Sequence, residues 1–460
     1  MDTQSVMSSI ETLLSLHGWV AAHCPTLVRP FGQNSHEHIF DDLLSKNHLY
    51  FVGIVIHSAD HFLVDQLSVI VQLAKRFGPS RLFVSMLDYD SSDSTATLTD
   101  LSEAVLTLLG IPFRIRRVPG MTEDPAAAYY PAEEAYMRNL ALEPLNELYE
   151  RRNIKFHRVI WLKGFTCPND ILETIKVSDE NDAVMVCGMD WAEHNGAFIF
   201  SDRYGCTSYI LTPISSIVRW RTRDINGDQF RQSKSSSKPD AVPPRDRIGA
   251  ARYSQHLPLQ VFCCESGTHV IDPSQSYYEG ISYRFGTDFH NVSLAETSSE
   301  RAPDAPCLDS SQAWFCRDLW LHKARRGVQE MDARNSHARR KRAVGDDDDD
   351  VKGGPVHRLP NDADPDANAG SDYDAMPDSD VPVEDVTSST RLLIPNSLFR
   401  PARILVNPRC VTTYAGVIHT QLAVDLFGPE DEEHGLAAAG MYILDDWEGA
   451  PESFVCQEQR

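Results

Sequence analysis

Between Leu49 and Trp191 two hydrophobic patterns alternate along the chain. Short apolar runs alternate with longer stretches in which apolar residues recur every three or four positions. The first pattern predicts strands and the second predicts amphipathic helices packed on them. The predicted strands are "LYFVGIVIH" (49–57), "RLFVSML" (81–87), "FRIRRV" (113–118), "RVIWL" (158–162) and "AVMVCGMDW" (183–191). A helix over 62–78 stops at Gly78, and a second, capped by Ser92, Asp93 or Ser94, stops at Gly110. A third, "EEAYMRNLALEPLNELYERR", is interrupted by Pro144, and a short fourth begins at Pro168. Strands separated by helices of this length predict a mostly parallel, doubly wound sheet with its ligand at the strand C-termini.

Beyond Trp191 the alternation fades. The stretch 221–247 is polar and loop-like, 257–272 returns to strand character, and "SSQAWFCRDLWLHKARR" (310–326) has the spacing of an aromatic-rich amphipathic helix. Residues 327–390 carry few large apolar groups and do not bury enough surface to fold. Strand character resumes at "ARILVNPRCVTTYAG". The resulting organisation is an N-terminal helical segment (1–48), a main domain (49–322), a charged disordered linker (323–390) and a C-terminal part of the main domain (391–460). Residues 204–219 read as an insertion within the main domain.

Charge narrows the function classes. The formal net charge is −23, against the basic surface that nucleic-acid binding needs. Residues 346–385 carry fourteen Asp and Glu against Lys352 and Arg358, so about half of that excess is local. No run approaches the roughly 20 apolar residues of a membrane span, and the first 25 residues are too polar for a signal peptide. The ten cysteines include no CxxC pair, which disfavours a zinc cluster. One glycosylation sequon, Asn291-Val292-Ser293, weakly favours the secretory pathway.

Periodicity and composition lead only to a nucleotide-binding α/β protein. Six strings go further: "FVSMLDYDSSDST" (83–95), "YMRNLALEPL" (136–145), "VMVCGMDW" (184–191), "RTRDINGDQF" (221–230), "FCRDLW" (315–320) and "LVNPRCVTTYAG" (405–416). In this order they resemble a fungal glycosyltransferase family, the α-1,3-mannosyltransferases and the capsule-associated proteins similar to them. The resemblance implies a GT-A-like fold, with a Rossmann-type mixed sheet flanked by helices and an acceptor-side half. It also implies a GDP-mannose donor, a mannose-containing oligosaccharide acceptor and a Mn2+ or Mg2+ ion. Transfer would form an α-1,3 link with retention, in the Golgi or secretory lumen. A catalytically impaired, sugar-nucleotide-binding relative is the alternative.

A diphosphate leaving group needs a metal or cations aimed at its developing charge, and Mn2+ or Mg2+ needs converging oxygen ligands. Asp190 follows an apolar strand at the rim of the expected crevice and is the first metal candidate, with a turn cap as its other reading. His419, after a Gly turn near the C-terminus, is the second metal candidate by resemblance, with a core histidine as its other reading. Glu193 and His194 are weaker candidates.

Asp88 and Asp93, after the second predicted strand, match acidic positions of the family and are candidates for the donor's ribose or base. Asp93 also reads as a helix cap. Arg138 and Asn139 are donor-binding candidates, Arg138 also reading as a surface partner of Glu134 one turn earlier. Arg221, Arg223 and Asp224 share a loop anchored by Ile225 and Phe230. Glu265, Asp224 and Asp318 are the candidate catalytic carboxylates. Trp314, Phe315 and Trp320 read as core. The stretch "RVIWLKGF" ends its strand on Lys163 and Gly164, where carboxylates are expected. Lys163 is therefore a cation candidate, either for the diphosphate or for pairing with Asp190.

Overall fold

The computed structural model describes residues 24, 40–121, 130–194, 197–200, 222–231, 238–264, 266–285, 309–345, 401–414, 422, 425–427 and 442–450. Their elements in chain order begin with α1 (Asp41–Ser45), β1 (Tyr50–Ile56), α2 (Leu63–Phe77), β2 (Leu82–Tyr89), α3 (Thr95–Leu109) and β3 (Phe113–Val118). They continue with α4 (Tyr130–Arg152), β4 (Arg158–Trp161), β5 (Phe165–Thr166), α5 (Pro168–Glu180), β6 (Met185–His194) and β7 (Ala197–Phe200). The remainder are β8 (Arg223–Asp224), α6 (Arg247–Tyr253), β9 (Leu259–Cys263), β10 (His269–Ile271), α7 (Ser311–Gly345) and β11 (Ile404–Thr413).

These strands form one mixed sheet in the order β3-β2-β1-β4-β10-β6-β11-β9-β8, with β5 paired to β11 and β7 to β6. The four strands predicted first lie together in the order β3-β2-β1-β4, and this half is parallel throughout, as expected. The other half corrects the expectation of a mostly parallel sheet, because β10 runs antiparallel between β4 and β6. Its three residues are wholly buried, so no period-2 pattern marks their direction in the sequence. The antiparallel run has a consequence: His269, the first residue of β10, lies opposite Trp161, the last of β4, and opposite Cys187 of β6. A strand start is thereby delivered to the edge where the parallel strands end.

Strand alternation divides the core between the two faces. Phe51, Val159, Trp161, Met185 and Met189 pack with Met137, Leu142 and Leu145 of α4 and Phe315 and Trp320 of α7. Val52, Ile54 and Ile160 pack on the other face with Leu63, Ile70 and Leu73 of α2 and Ile171 and Ile175 of α5. Trp314, Phe315 and Trp320 are buried, as core spacing predicts. The α7 helix continues to Gly345, past the point at which the linker is expected to begin. The insertion at 204–219 and the acidic run from 346 lie outside the described residues.

Disulfides link Cys187 to Cys264, Cys263 to Cys316 and Cys24 to Cys167. The adjacent pair Cys263-Cys264 thus ties the end of β9 both to α7 and to β6. Spacing gave no sign of these pairings, because connectivity depends on which strands become neighbours.

The strands approach closely around Gly188 of β6. A Cβ there would collide with the Cys410 carbonyl oxygen of β11 and lie 3.0 Å from the Thr268 carbonyl oxygen. Both obstacles are backbone, so neither can rotate away. Gly188→Ala is expected to destabilise the fold by about 3 kcal/mol or more, measured by denaturant unfolding. Peptide mass mapping of the unreduced protein is expected to find Cys263 joined to Cys316 and Cys187 joined to Cys264.

Candidate active site

The strand β4 ends at Trp161, and the chain turns through Leu162, Lys163 and Gly164 into β5. This turn is clamped by hydroxyls. The Lys163 N–H donates to Thr268 Oγ1 at 3.1 Å, and that hydroxyl donates to the Lys163 carbonyl at 3.0 Å. Thr166 Oγ1 lies 2.7 Å from Thr268 Oγ1 and 2.9 Å from Thr412 Oγ1, and the Thr268 N–H donates to Thr412 Oγ1 at 2.8 Å. Three threonines from three segments thereby fix the Lys163 backbone. Gly164 has φ +41°, and a Cβ there would collide with the Thr413 carbonyl oxygen.

Asp190 lies across from this turn. It pairs in register with Thr412, and only 1% of it is exposed. Burial pushes its carboxyl up to about 6, against the opposing pull of the Lys163 ammonium, the Gly267 N–H and the Tyr414 side chain. Its Oδ1 is shielded from solvent and has no hydrogen-bond partner among the described residues. A buried carboxylate oxygen in that state is a ready acceptor for a ligand's hydroxyl.

Toward α4 the same turn meets a second polar group. His269 is buried, its Nδ1 lies 3.0 Å from the Gly267 carbonyl oxygen, and its Nε2 has no hydrogen-bond partner among the described residues. Burial holds its pKa well below the ordinary range, and the charges of Lys163 and Arg138 push the same way, so it is a neutral imidazole. Glu134 and Arg138 pair at 2.5 Å, both buried. Arg138 also donates to Gln312, and Ser311 donates to Glu134. The Arg138 guanidinium lies 4.8 Å from the Tyr283 ring centroid. Lys163 stands within electrostatic reach of Asp190, His269 and Glu134.

The structure thus brings Lys163 and Asp190 together. It places the other candidates as follows. Arg138 is held by Glu134 and Gln312 in the interior, so its pairing with Glu134 is buried where the sequence suggests a surface pair. Asn139 exchanges two hydrogen bonds with the Tyr283 backbone, at 2.7 and 3.1 Å. Arg223 is buried against Asp309.

Asp224, on β8 three strands away from β6, accepts the N–H groups of Asn226, Asp228, Arg245 and Asp246. Its carboxylate organises the loop that Ile225 and Phe230 anchor. Asp318 is gripped by both arms of Arg284, at 2.6 and 2.8 Å. Asp88 is buried at the end of β2 and accepts from the Ser91 hydroxyl. Asp93 accepts the N–H groups of Asp60 and of Thr95, the first residue of α3, which is the capping role. Arg221, Glu265 and His419 lie outside the described residues, as do the side chains of Glu193 and His194.

Sequence reasoning named Glu134 only as a surface partner of Arg138, and it missed His269, Gln312 and the threonine clamp. Only the run Gly267-Thr268-His269, a turn leading into an apolar strand, carried a signal for any of them.

The donor set was tested against a divalent metal. Mn2+ or Mg2+ takes about six ligands, mostly oxygen. No trio of acidic, His or Cys side chains converges around Asp190 among the described residues. The trio that does have metal-ligand spacing is His48, His157 and Asp179. His48 and His157 precede β1 and β4, so this group sits at the opposite edge of the sheet. Asp179 there is already neutralised by Arg158 at 2.8 Å, with Lys46 at 4.0 Å. The described residues around Asp190 therefore do not fit the metal that the family resemblance implies.

A mixed sheet of this order with helices on both faces is a GT-A-like architecture, with a polar cluster at its strand ends. The sequence model of the cryptococcal mannosyltransferase 1 family matches residues 49–301, more than half of the chain, and the chain belongs to that family. No curated protein matches it. Among solved structures it is similar to residues 1–349 of TarS from S. aureus, at 10% identity over 60% of this chain and 56% of that one, with a TM-score of 0.29. It is also similar to the mannosyltransferase PcManGT from Pyrobaculum calidifontis, solved with GDP-Man and Mn2+, at 10% identity over 61% and 58%, with a TM-score of 0.29. Glucosyl-3-phosphoglycerate synthase from Mycobacterium tuberculosis gives 14% identity over 36% and 52%, with a TM-score of 0.22. The chain spans less than two thirds of each of these, and at such scores they bear on neither ligand nor activity here.

The raised Asp190 pKa has a thermodynamic sign. The folded state binds this proton more tightly than the unfolded state, so stability falls as pH rises from about 4 through about 6. A shift of about two units corresponds to roughly 3 kcal/mol of cost at pH 7 and none below both values. Asp190→Asn is expected to stabilise the protein at pH 7 and to leave stability near pH 3 unchanged. Urea unfolding of both proteins at the two pH values measures this.

Proposed function

We propose that the protein transfers mannose from GDP-mannose to a mannose-containing oligosaccharide, forming an α-1,3 link with retention. The observation that carries this reading is the Lys163–Asp190 pair at the strand ends of a mannosyltransferase-family sheet. In the reaction the bond between the sugar's anomeric carbon and the β-phosphate oxygen breaks, and its electron pair leaves on the diphosphate. The acceptor hydroxyl oxygen bonds to that carbon, and its proton ends on the released diphosphate. Lys163 offsets the charge developing on the leaving group. Asp190 Oδ1 accepts a sugar hydroxyl and so orients the reacting carbon. Asp88, buried at the end of β2, suits the donor's ribose or base. By sequence position Glu265 stays a candidate catalytic carboxylate and Arg221 a donor-binding cation, while His419 is a metal candidate by resemblance alone.

The three disulfides favour an oxidising compartment, in keeping with the secretory lumen that the family resemblance implies. No helix among the described residues is long and apolar enough to cross a membrane.

A second reading is a relative that binds sugar nucleotide without transferring it. It is favoured by the engagement of two candidate catalytic carboxylates elsewhere: Asp224 by four N–H groups and Asp318 by Arg284. Purified protein with GDP-mannose and a mannobioside separates the two. The first reading expects a trisaccharide product by mass spectrometry, reduced at least about 100-fold in Asp190→Ala. Donor binding by calorimetry with no product would establish the second, and absence of donor binding would sink both.

A further inference from the structure

We propose that this site takes the donor's diphosphate without a divalent metal, the Lys163 ammonium standing in the metal's place. The inference rests on the reading of the site as a sugar-nucleotide site, and goes beyond it in naming what neutralises the phosphates.

The first support is position. Lys163 follows the C-terminal end of β4, beside the parallel strand β1, where an α/β sheet presents residues to a nucleotide. Its backbone is fixed on both sides by Thr268, which is itself fixed by Thr166 and Thr412. A lysine on a clamped backbone delivers its charge to a defined place.

The second support is steric. A metal site at this turn needs a carboxylate beside Asp190, and the adjacent position cannot supply one. Any side chain at 164 would drive its Cβ into the Thr413 carbonyl oxygen, with the Tyr414 ring 3.0 Å away and φ at +41°. β5 and β11 are hydrogen-bonded at this point, so the obstacle is sheet backbone and does not yield.

The third support is the ligand count. Asp190 is joined by no second acidic, His or Cys ligand pair among the described residues. Glu134, the other carboxylate in reach of Lys163, is committed to Arg138 and Ser311. His269 presents an open Nε2, yet two cations already act on it, and a dication would be repelled by the same two. One carboxylate beside an ammonium is a poor metal shell. It is a competent phosphate site, because an ammonium binds phosphate as a point charge. Asp190 then serves the sugar and keeps Lys163 directed to the crevice.

The test uses the full chain, stripped of metal with EDTA and dialysed. Calorimetry is run with GDP and with GDP-mannose, in EDTA and again with Mn2+. The expected result is binding in EDTA, with a Kd that Mn2+ changes by less than about threefold. Lys163→Met is expected to weaken GDP binding at least about tenfold, and Lys163→Arg to restore most of it. Matching thermal midpoints for the variants would show that the loss is not unfolding, and the EDTA comparison on wild type needs no variant. Binding that requires Mn2+ would overturn the inference while leaving the sugar-nucleotide reading intact. Undiminished binding by a folded Lys163→Met would also overturn it. Binding under neither condition would overturn both.

Discussion

The close approach of backbones around Gly188 and Gly164 is the constraint on which the rest of this molecule depends. At these two points β6, β11 and the β4–β5 turn come together with no room for a side chain. Because they touch, the hydroxyls of Thr166, Thr268 and Thr412 meet and satisfy one another in the interior. Because the hydroxyls meet, the Lys163 backbone is fixed. Larger residues at either glycine would separate the strands, and the clamp would lose the distances that make it a clamp.

Around that contact the fold pays a real electrostatic penalty. Asp190 is buried almost completely, with one oxygen unsatisfied by the described residues, and only partial compensation comes from Lys163, Gly267 and Tyr414. Two other carboxylates of this protein are satisfied internally. Asp224 receives four N–H groups and Asp318 a bidentate guanidinium. An unsatisfied buried carboxylate oxygen at the C-terminal edge of the parallel strands is open to a ligand's donor. The network of Glu134, Arg138, Ser311 and Gln312 has the opposite character: it is paired inside the protein and joins α4 to α7. It fixes the Arg138 guanidinium between α4 and α7.

Much of the parallel half was legible because its strands are long, apolar and separated by helices with clear stops. The helix ends at Gly78 and Gly110 fall where the sequence places them. The candidate site was legible only at Asp190 and Lys163, each of which follows a strongly apolar run in the sequence. Arg223, Asn139, Asp224 and Asp318 had the right chemistry for a ligand, yet each is engaged inside the fold by a partner distant in sequence or by its own loop. His269 stayed hidden because a three-residue buried strand has no periodicity to show its direction.

The sequence by itself determined the α/β class, the existence of the first four strands, the burial of the tryptophan-rich helix and the cation at the end of β4. These depend on local periodicity and on the residue that terminates a run. Tertiary structure alone decided that β10 runs antiparallel, that Cys263 and Cys264 take different partners, and that Gly164 has no room for a carboxylate. Each of these is set by which backbones lie within a few ångströms of one another, and that follows from the packing of the whole sheet.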